Sequence, residues 1–243
     1  MTTPATMRLN KFISETGFCS RREADELISA QRVTLDGELA QTGAKWVEGM
    51  VVCVDDEVIK ARPTISGKRK HVYIALNKPV GITCTTDQGI KGNIVDFVDH
   101  QERIFPIGRL DKDSEGLILL TSNGDIVNQI LRSENNHEKE YLVGVNKAVT
   151  DGFMKAMARG VRIHNQMTKP CKVGPLAKYG FRITLTQGLN RQIRLMCEVL
   201  GYRVTQLRRI RIINVQLGKL KPGAWRNLTE KELEGLLPGF KDW

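Results

Sequence analysis

Acidic and basic side chains crowd together in the segment GRLDKDSEGLILLT, which spans residues 108–121. Asp111, Asp113 and Glu115 occupy every second position, and the apolar run LILLT follows them. A carboxylate in such a place has three interpretations: a nucleophile, a metal ligand, or part of a solvated turn. The metal-binding pattern and the other motifs of the chain separate these interpretations.

The metal interpretation rests on DKDSEG, which matches the start of a calcium-binding EF-hand loop. In that loop, the position that needs a bidentate glutamate would be Ser122, and another ligand position would be Leu119. The pattern therefore fails after its first half. Histidines and cysteines are scattered without zinc-site spacing, so we expect neither a metal nor any cofactor.

The net charge of +10 is unevenly distributed along the chain. Residues 1–62 carry 8 Lys and Arg against 10 Asp and Glu, whereas residues 63–243 carry 29 against 17. Within residues 187–226, nine basic residues face a single acid, Glu198. A one-sided cluster of arginines favours an anionic ligand, and nucleic acid is the most common ligand of this kind.

The composition is that of an ordinary globular chain, with an apolar fraction of 41% and no run of about 18 apolar residues. The first ten residues, MTTPATMRLN, lack an apolar signal core. The five cysteines are dispersed and odd in number, which indicates reduced thiols. We therefore expect a cytoplasmic protein with no membrane contact, and we expect a monomer.

The first sixty residues predict a small domain of two helices and a few strands. NKFISETG predicts a short helix that stops at Gly17, and Ser20 with Glu23 forms a capping box for a second helix. Asp36-Gly37 suits a type I′ hairpin turn within RVTLDGELA, and GMVVCVDDEVI predicts one further strand.

A linker separates this domain from the rest of the chain, because residues 60–71 mix Pro, Ser and Gly with five basic residues. We place the first domain at 7–62, the linker at 63–67 and a second domain at 68–243. The second domain alternates many strand-like runs with few helices, which predicts an α+β fold with a largely antiparallel mixed sheet.

Three helices are predicted in the second domain. VTDGFMKAMARG forms a helix that ends at Gly160. NRQIRLMCEVLG forms another, with Asn190 as N-cap, Gly201 as stop, and a buried face of Ile193, Met196, Cys197 and Leu200. Thr229 and Glu232 form a capping box that opens the last helix.

Four motifs occur in the order found in RNA pseudouridine synthases. GRLDKDSEGLILLTSNGD resembles their central motif, and it stands among IALNKPVGITCT, HEKEYLVGV and LTQGLNRQIRLMCEVLGYRVTQLRRIRI. The N-terminal segment RLNKFISETGFCSRREADELISAQRVTLDGELA resembles an S4-type RNA-binding domain. The departures are Gln187, where an acid is frequent, and Leu195, where a second arginine is frequent. The combination is similar to the RsuA/RluB/RluE/RluF branch of the family.

The resemblance implies a small S4-like (αL) domain followed by a pseudouridine synthase catalytic domain. It implies isomerisation of uridine to pseudouridine in 23S ribosomal RNA, with a tRNA anticodon-loop uridine as a second candidate. Asp111 would be the nucleophile, attacking either C6 of uracil or C1′ of ribose. Tyr141 would pack on the uracil ring and Arg194 would pair with Asp111, while Arg109 and Arg191 would bind the substrate.

The remaining residues of these motifs receive simpler roles. Asn77, Lys78 and Pro79 would shape the pocket wall or support the nucleophile, and Asp113 and Glu115 would be solvated turn residues. Basic side chains in both domains would hold RNA: Arg8, Lys11, Arg21, Arg22 and Arg32 in the first domain, and Arg203, Arg208, Arg209 and Arg211 in the second.

Two other functions compete with this one. The first is an S4-type RNA-binding protein without activity, for which Asp111 would be dispensable. The second is a uracil C5 methyltransferase, which also attacks C6. That chemistry requires a cysteine nucleophile and a cofactor domain, but the sequence has no glycine-rich loop between a strand and a helix.

Overall fold

The computed structural model describes residues 6–60, 71–131 and 136–239. The chain divides into two compact units, Met1–Arg69 and Lys70–Trp243. The predicted linker, 63–67, lies outside the described residues, so the exact domain limits stay a prediction. In the ranges that are described, no helix is both long enough and apolar enough to cross a bilayer.

Two helices and six short strands form the first unit. Its elements are β1 (Thr6–Arg8), α1 (Leu9–Glu15), α2 (Arg21–Ser29), β2 (Val33–Leu35), β3 (Glu38–Leu39), β4 (Lys45–Val47), β5 (Val52–Val54) and β6 (Glu57–Ile59). Helix α2 has the predicted capping box: the backbone N–H of Glu23 donates to Ser20 Oγ at 3.1 Å, and that of Ser20 donates to Glu23 Oε2 at 2.6 Å.

Two tight turns shape the sheet of this unit. Strands β2 and β3 pair antiparallel across Asp36-Gly37, whose φ values of 51° and 86° confirm the predicted type I′ turn. The prediction of one strand in GMVVCVDDEVI was wrong, because β5 and β6 are separate strands of a second hairpin. Asp55 and Asp56 turn the chain there with φ values of 50° and 64°, a conformation that aspartate tolerates better than most residues.

The second unit is built on a nine-stranded sheet in the order β13-β14-β10-β15-β9-β7-β17, with β8 beside β9 and β16 beside β15. Its sheet strands are β7 (Tyr73–Lys78), β8 (Phe105–Ile107), β9 (Glu115–Thr121), β10 (Lys139–Val145), β13 (Lys172–Ala177), β14 (Gly180–Leu185), β15 (Val204–Ile212), β16 (Val215–Gln216) and β17 (Trp225–Asn227). The remaining elements are α3 (Ile94–Val98), α4 (Val127–Leu131), α5 (Asp151–Arg159), β11 (Arg162–Ile163), β12 (Gln166–Met167), α6 (Gln192–Val199) and α7 (Glu230–Leu236). Among the described strands of this sheet, only β9 and β15 pair in parallel, which confirms the predicted α+β fold with a largely antiparallel sheet.

Strand β9 lies in the middle of the sheet and is covered on both faces. Leu117 and Leu119 pack with α7 on one face, whereas Ile118 and Leu120 pack with α3 on the other. Side chains of a strand alternate between faces, so a strand buried on both sides is continuously apolar. This burial explains the uninterrupted run LILLT that follows the acidic residues.

The parallel pairing of β9 with β15 requires a glycine. Gly116 lies opposite Arg209 with a φ of 103°, and a Cβ atom at this position would be 2.2 Å from the carbonyl oxygen of Arg209. The two backbones therefore approach more closely than any side chain permits.

Helix α6 begins later than predicted. Its N-cap is Arg191, in the left-handed region with φ 49° and ψ 28°, and not Asn190. Gln192 Oε1 instead accepts a hydrogen bond from the backbone N–H of Leu189 at 3.0 Å, which satisfies a donor at the helix start. The predicted buried face is present, with Leu200 partly buried, and Gly201 follows the helix with a positive φ.

The other two predicted helices are confirmed. Thr150 caps α5 and Gly160 follows its last residue. Thr229 and Glu232 form the predicted capping box of α7, in which each residue binds the backbone N–H of the other.

Candidate active site

Asp111 lies in a tight turn immediately before β9. The backbone carbonyl of Asp111 accepts a hydrogen bond from the N–H of Ser114 at 3.0 Å, which closes the turn. The next carbonyl, of Lys112, accepts from the N–H of Gly81 at 2.8 Å, and the preceding N–H, of Leu110, donates to Cys84 Sγ at 3.4 Å. Hydrogen bonds thus fix the backbone of the three successive residues Leu110, Asp111 and Lys112, and this holds the Asp111 carboxylate rigidly in place.

Lys78 supports the Asp111 turn indirectly, through the loop that contains Gly81. The sequence predicts that this residue shapes the pocket wall or supports the nucleophile. The side chain is fully buried, and Nζ donates to the carbonyls of Pro79 and Ile82, each at 2.9 Å. These bonds shape the loop whose Gly81 holds the Asp111 turn. Burial lowers the pKa of Lys78, and the side chains of Cys84, Asp111 and Asp113 oppose this shift.

Asn77 has a different role from the expected pocket wall. Its Nδ2 donates to the carbonyl of Leu220 at 2.7 Å, and its backbone binds Gly223 and Ala224. The side chain therefore ties β7 to the segment that leads into β17.

Two arginines of the α6 region face Asp111. Arg191 Nη1 lies 3.6 Å from Asp111 Oδ2, and Arg194 Nε lies 3.8 Å from the same oxygen. The Arg194 side chain is only 13% exposed, and its Nε has no hydrogen-bond partner among the described residues. The structure thus brings together Asp111 and both arginines that the motifs singled out.

Asp113 is an exposed turn residue, as the sequence predicts, but its carboxylate also binds the two arginines. Arg191 donates from Nη1 and Nη2 to the two carboxylate oxygens of Asp113, each at 3.3 Å. Arg194 Nη2 donates to the backbone carbonyl of Asp113 at 2.9 Å and to Ser114 Oγ at 3.0 Å. Burial would raise the pKa of Asp113, but the hydrogen bond from Arg191 and the charges of both arginines hold it below its usual value.

A cavity of about 780 Å³ opens beside Asp111. Its polar wall includes Arg109, Asp111, Arg191 and the loop 186–190, and its apolar wall includes Ile107, Leu185 and Leu207. Tyr141, on β10, also lines this space. A concavity of this size with both apolar and polar walls can hold a small organic group.

Arg209 does not have the predicted position on an RNA-binding surface. It is 4% exposed and lines the cavity, with Nε donating to the carbonyl of Leu117 at 2.7 Å. Its guanidinium carbon lies 5.9 Å from the centre of the Tyr141 ring, within cation–π range. The physical reason is that β15 is a central strand between β10 and β9, so its side chains cannot all face solvent.

Arg211 is likewise occupied within the protein. Its three nitrogens donate to Glu140 Oε2 at 2.8 Å, to Glu138 Oε2 at 2.9 Å and to the carbonyl of Ile213 at 2.8 Å. Burial opposes its charge, but the hydrogen bonds with Glu140 and Glu138 raise the pKa of Arg211. The donors of Arg211 thus have partners within the protein, and its predicted role in holding phosphates stays a prediction.

The other residues predicted to bind RNA differ in their exposure and in their ion pairs within the protein. In the second unit, Arg203 is exposed and Arg208 is half-buried. In the first unit, Arg8, Arg21 and Arg22 are exposed. Arg32 is exposed but binds both oxygens of Asp55, and Lys11 forms an ion pair with Glu15 at 3.5 Å.

Comparison with known proteins identifies both units. Residues 72–199 match the RNA pseudouridylate synthase family, and residues 7–58 match the S4 domain. A crystal structure of a pseudouridylate synthase superposes with a TM-score of 0.69 at 31% identity, covering 95% of this chain and 100% of that one.

Relatives agree over nearly the whole chain. Dual-specificity RNA pseudouridine synthase RluF of Salmonella typhi is 56% identical over 233 residues, which cover 96% of this chain and 79% of the relative. RluF of Escherichia coli K12 is 55% identical, with coverage of 94% and 78%. Ribosomal small subunit pseudouridine synthase A of Haemophilus influenzae is 32% identical, with coverage of 95% and 100%. The predicted resemblance to the RsuA/RluB/RluE/RluF branch is confirmed, and RluF proteins are among the relatives. The chain therefore belongs to the RNA pseudouridylate synthase family, and it is an isomerase with an S4 domain ahead of its catalytic domain.

Proposed function

We propose that this enzyme converts uridine to pseudouridine in 23S ribosomal RNA and in a tRNA anticodon loop, with Asp111 as the nucleophile. The observation that carries the proposal is a rigidly mounted carboxylate that borders a cavity of about 780 Å³ beside two arginines. The RluF relatives are dual-specificity RNA pseudouridine synthases, which supports two RNA substrates. We further propose that it acts as a monomer in the cytoplasm.

The reaction breaks the bond between C1′ and N1, turns the detached uracil, and joins C1′ to C5. Asp111 can add to C6 of the ring or to C1′ of the ribose, and both routes require an ionised carboxylate. Arg191 and Arg194 lie 3.6 and 3.8 Å from the Asp111 carboxylate. The hydrogen on C5 leaves as a proton, and N1 gains one, so the product is an isomer of the substrate.

Substrate binding requires the uridine to leave its stack and enter the cavity. The aromatic face of Tyr141 can stack on the flat uracil ring and keep water from the reacting bond. Arg109 is exposed and borders the cavity, where it can contact the neighbouring nucleotides. Arg203, Arg208 and the basic side chains of the S4 domain can hold phosphates of the RNA.

The proposal is tested by release of tritium from transcripts labelled at C5 of uracil, because formation of the C1′–C5 bond expels that hydrogen. We expect release from both 23S ribosomal RNA and tRNA. Release from one alone would reduce the proposal to a single substrate. Binding of both RNAs without any release would favour a non-catalytic RNA-binding protein instead.

Tyr141 should act through its ring and not through its hydroxyl group. We expect Tyr141→Leu to lower kcat/KM by about 10- to 100-fold, since stacking a base on an aromatic ring contributes about 1–3 kcal/mol. Tyr141→Phe keeps the ring and should retain most of the activity. Equal losses in the two variants, measured by tritium release, would contradict a stacking role.

Arg203 and Arg211 should respond differently to substitution by alanine. Arg203→Ala is expected to weaken RNA binding and to reduce the slope of log K against log salt by about 1, with unchanged thermal stability. Arg211→Ala should instead lower the free energy of unfolding by about 1–3 kcal/mol, because Glu138 and Glu140 lose a shared partner. Salt titrations and urea unfolding of both variants separate these effects, and an equal reduction of the salt slope would support Arg211 as a phosphate contact.

A further inference from the structure

We propose that Asp113 is a positioning residue whose carboxylate keeps Arg191 from hydrogen bonding to Asp111. The nucleophile then receives the positive charge of both arginines while its oxygens stay free to attack carbon. This inference rests on the proposed role of Asp111 and assigns a function to the second carboxylate of the turn.

Distances show which carboxylate the arginines bind. Arg191 donates two hydrogen bonds to Asp113 at 3.3 Å, whereas its closest approach to Asp111 is 3.6 Å. Arg194 donates to the carbonyl of Asp113 and to Ser114 Oγ, and its Nη2 lies 3.3 Å from Asp113 Oδ2. Among the described residues, neither arginine donates a hydrogen bond to Asp111, although Arg194 Nε is buried and lies 3.8 Å away.

Coulomb attraction and hydrogen bonding depend differently on distance. The two arginines can therefore attract the Asp111 carboxylate without forming hydrogen bonds to it. The Coulomb energy of two charges falls only in inverse proportion to their separation, so arginines at 3.6 and 3.8 Å still stabilise the Asp111 anion. A charge-assisted hydrogen bond to Asp111 would occupy a lone pair of its carboxylate and lower its reactivity, whereas the two hydrogen bonds of Arg191 go to Asp113. By binding Arg191, Asp113 therefore leaves Asp111 with the charge of the arginine but without its hydrogen bond.

The Asp113 carboxylate is not needed to close the turn. The closing hydrogen bond is made by backbone atoms of Asp111 and Ser114, and the contacts of the Asp113 side chain go to the arginines. Arg194 would stay in place without the Asp113 charge, because it binds a backbone carbonyl and a serine hydroxyl. Arg191 has no such second anchor, and it is the residue expected to move.

The variant Asp113→Asn keeps the shape of the side chain and removes its charge. We expect Arg191 to turn to Asp111 and to form the hydrogen bond that Asp113 prevents. The single-turnover rate of tritium release at saturating RNA should fall by about 10- to 100-fold, the scale of a misplaced catalytic group. The dissociation constant for RNA should change little, and Asp113→Glu, which keeps the charge, should lose less activity than Asp113→Asn.

The double variant Asp113→Asn/Arg191→Gln gives the decisive comparison. If the loss arises from the new hydrogen bond of Arg191, removing that arginine should make the double variant faster than Asp113→Asn alone, since Arg194 still supplies a charge. A double variant as slow as the single one, or Asp113→Asn at the wild-type rate, would overturn the proposal. Absence of release by the wild-type enzyme would instead reject the proposed function, before any variant is compared.

Discussion

Replacement of Asp111 by asparagine is expected to abolish tritium release, with the single-turnover rate reduced by at least about 1,000-fold. An amide has nearly the same shape as the carboxylate but no nucleophilic oxygen anion. The hydrogen bonds that fix the turn involve the backbone of Leu110, Asp111 and Lys112, so they remain in the variant. The RNA dissociation constant should therefore stay within about threefold of the wild-type value, a change of less than about 1 kcal/mol.

A matched control for this variant is Asp99→Asn in the same domain. Asp99 is exposed and follows α3 with a φ of 48°, a conformation that asparagine adopts readily. We expect this variant to release tritium at the wild-type rate. Retained release by Asp111→Asn, with the rates of both variants measured on the same RNA, would remove Asp111 from the mechanism.

The variant Gly116→Ala should lower the free energy of unfolding by about 3 kcal/mol or more. The added methyl group would collide with the backbone of Arg209, 2.2 Å from its carbonyl oxygen, and a φ of 103° is unfavourable for alanine. The parallel pairing of β9 with β15 must open, and the turn that carries Asp111 and Asp113 moves with β9. Urea unfolding measures the loss of stability, and tritium release should fall with it.

Gly174→Ala is the corresponding control in an edge strand of the same sheet. Gly174 lies in β13, its φ is not positive, and a Cβ atom at this position would meet nothing within 4 Å. The change in its free energy of unfolding should stay below about 1 kcal/mol. A similar small change for Gly116→Ala would show that β9 and β15 can separate at little cost.

Local patterns in the sequence were sufficient for many elements. The capping boxes of Ser20 and Thr229 and the hairpin turn at Asp36-Gly37 depend on residues within four positions of each other, and all were predicted correctly. The meeting of Asp111 with Arg194 followed from the motif resemblance alone, since nothing local connects residues 83 positions apart.

The sequence was least informative about residues whose environment depends on distant partners. Arg209 and Arg211 look like surface arginines until β15 is placed between β10 and β9, where one becomes buried and the other pairs with two glutamates. Asp113 is the exposed turn residue that the sequence predicts, but its pairing with Arg191 was missed because that partner is 78 positions away. The sequence held one indication of this pairing. Asp111 and Asp113 are two residues apart and Arg191 and Arg194 are three residues apart, so the two pairs can form more than one ion pair with each other.

The immobility of the Asp111 turn has a consequence for which uridines the enzyme accepts. The turn joins a strand that is hydrogen-bonded on both sides and packed on both faces, so the carboxylate cannot travel toward a base. The entire displacement falls on the RNA, whose cost of extrusion is lowest where a uridine is weakly stacked or unpaired. We therefore expect the choice of uridine to depend on how easily the surrounding RNA deforms. Two RNA molecules of unrelated sequence can be equally deformable at the target uridine.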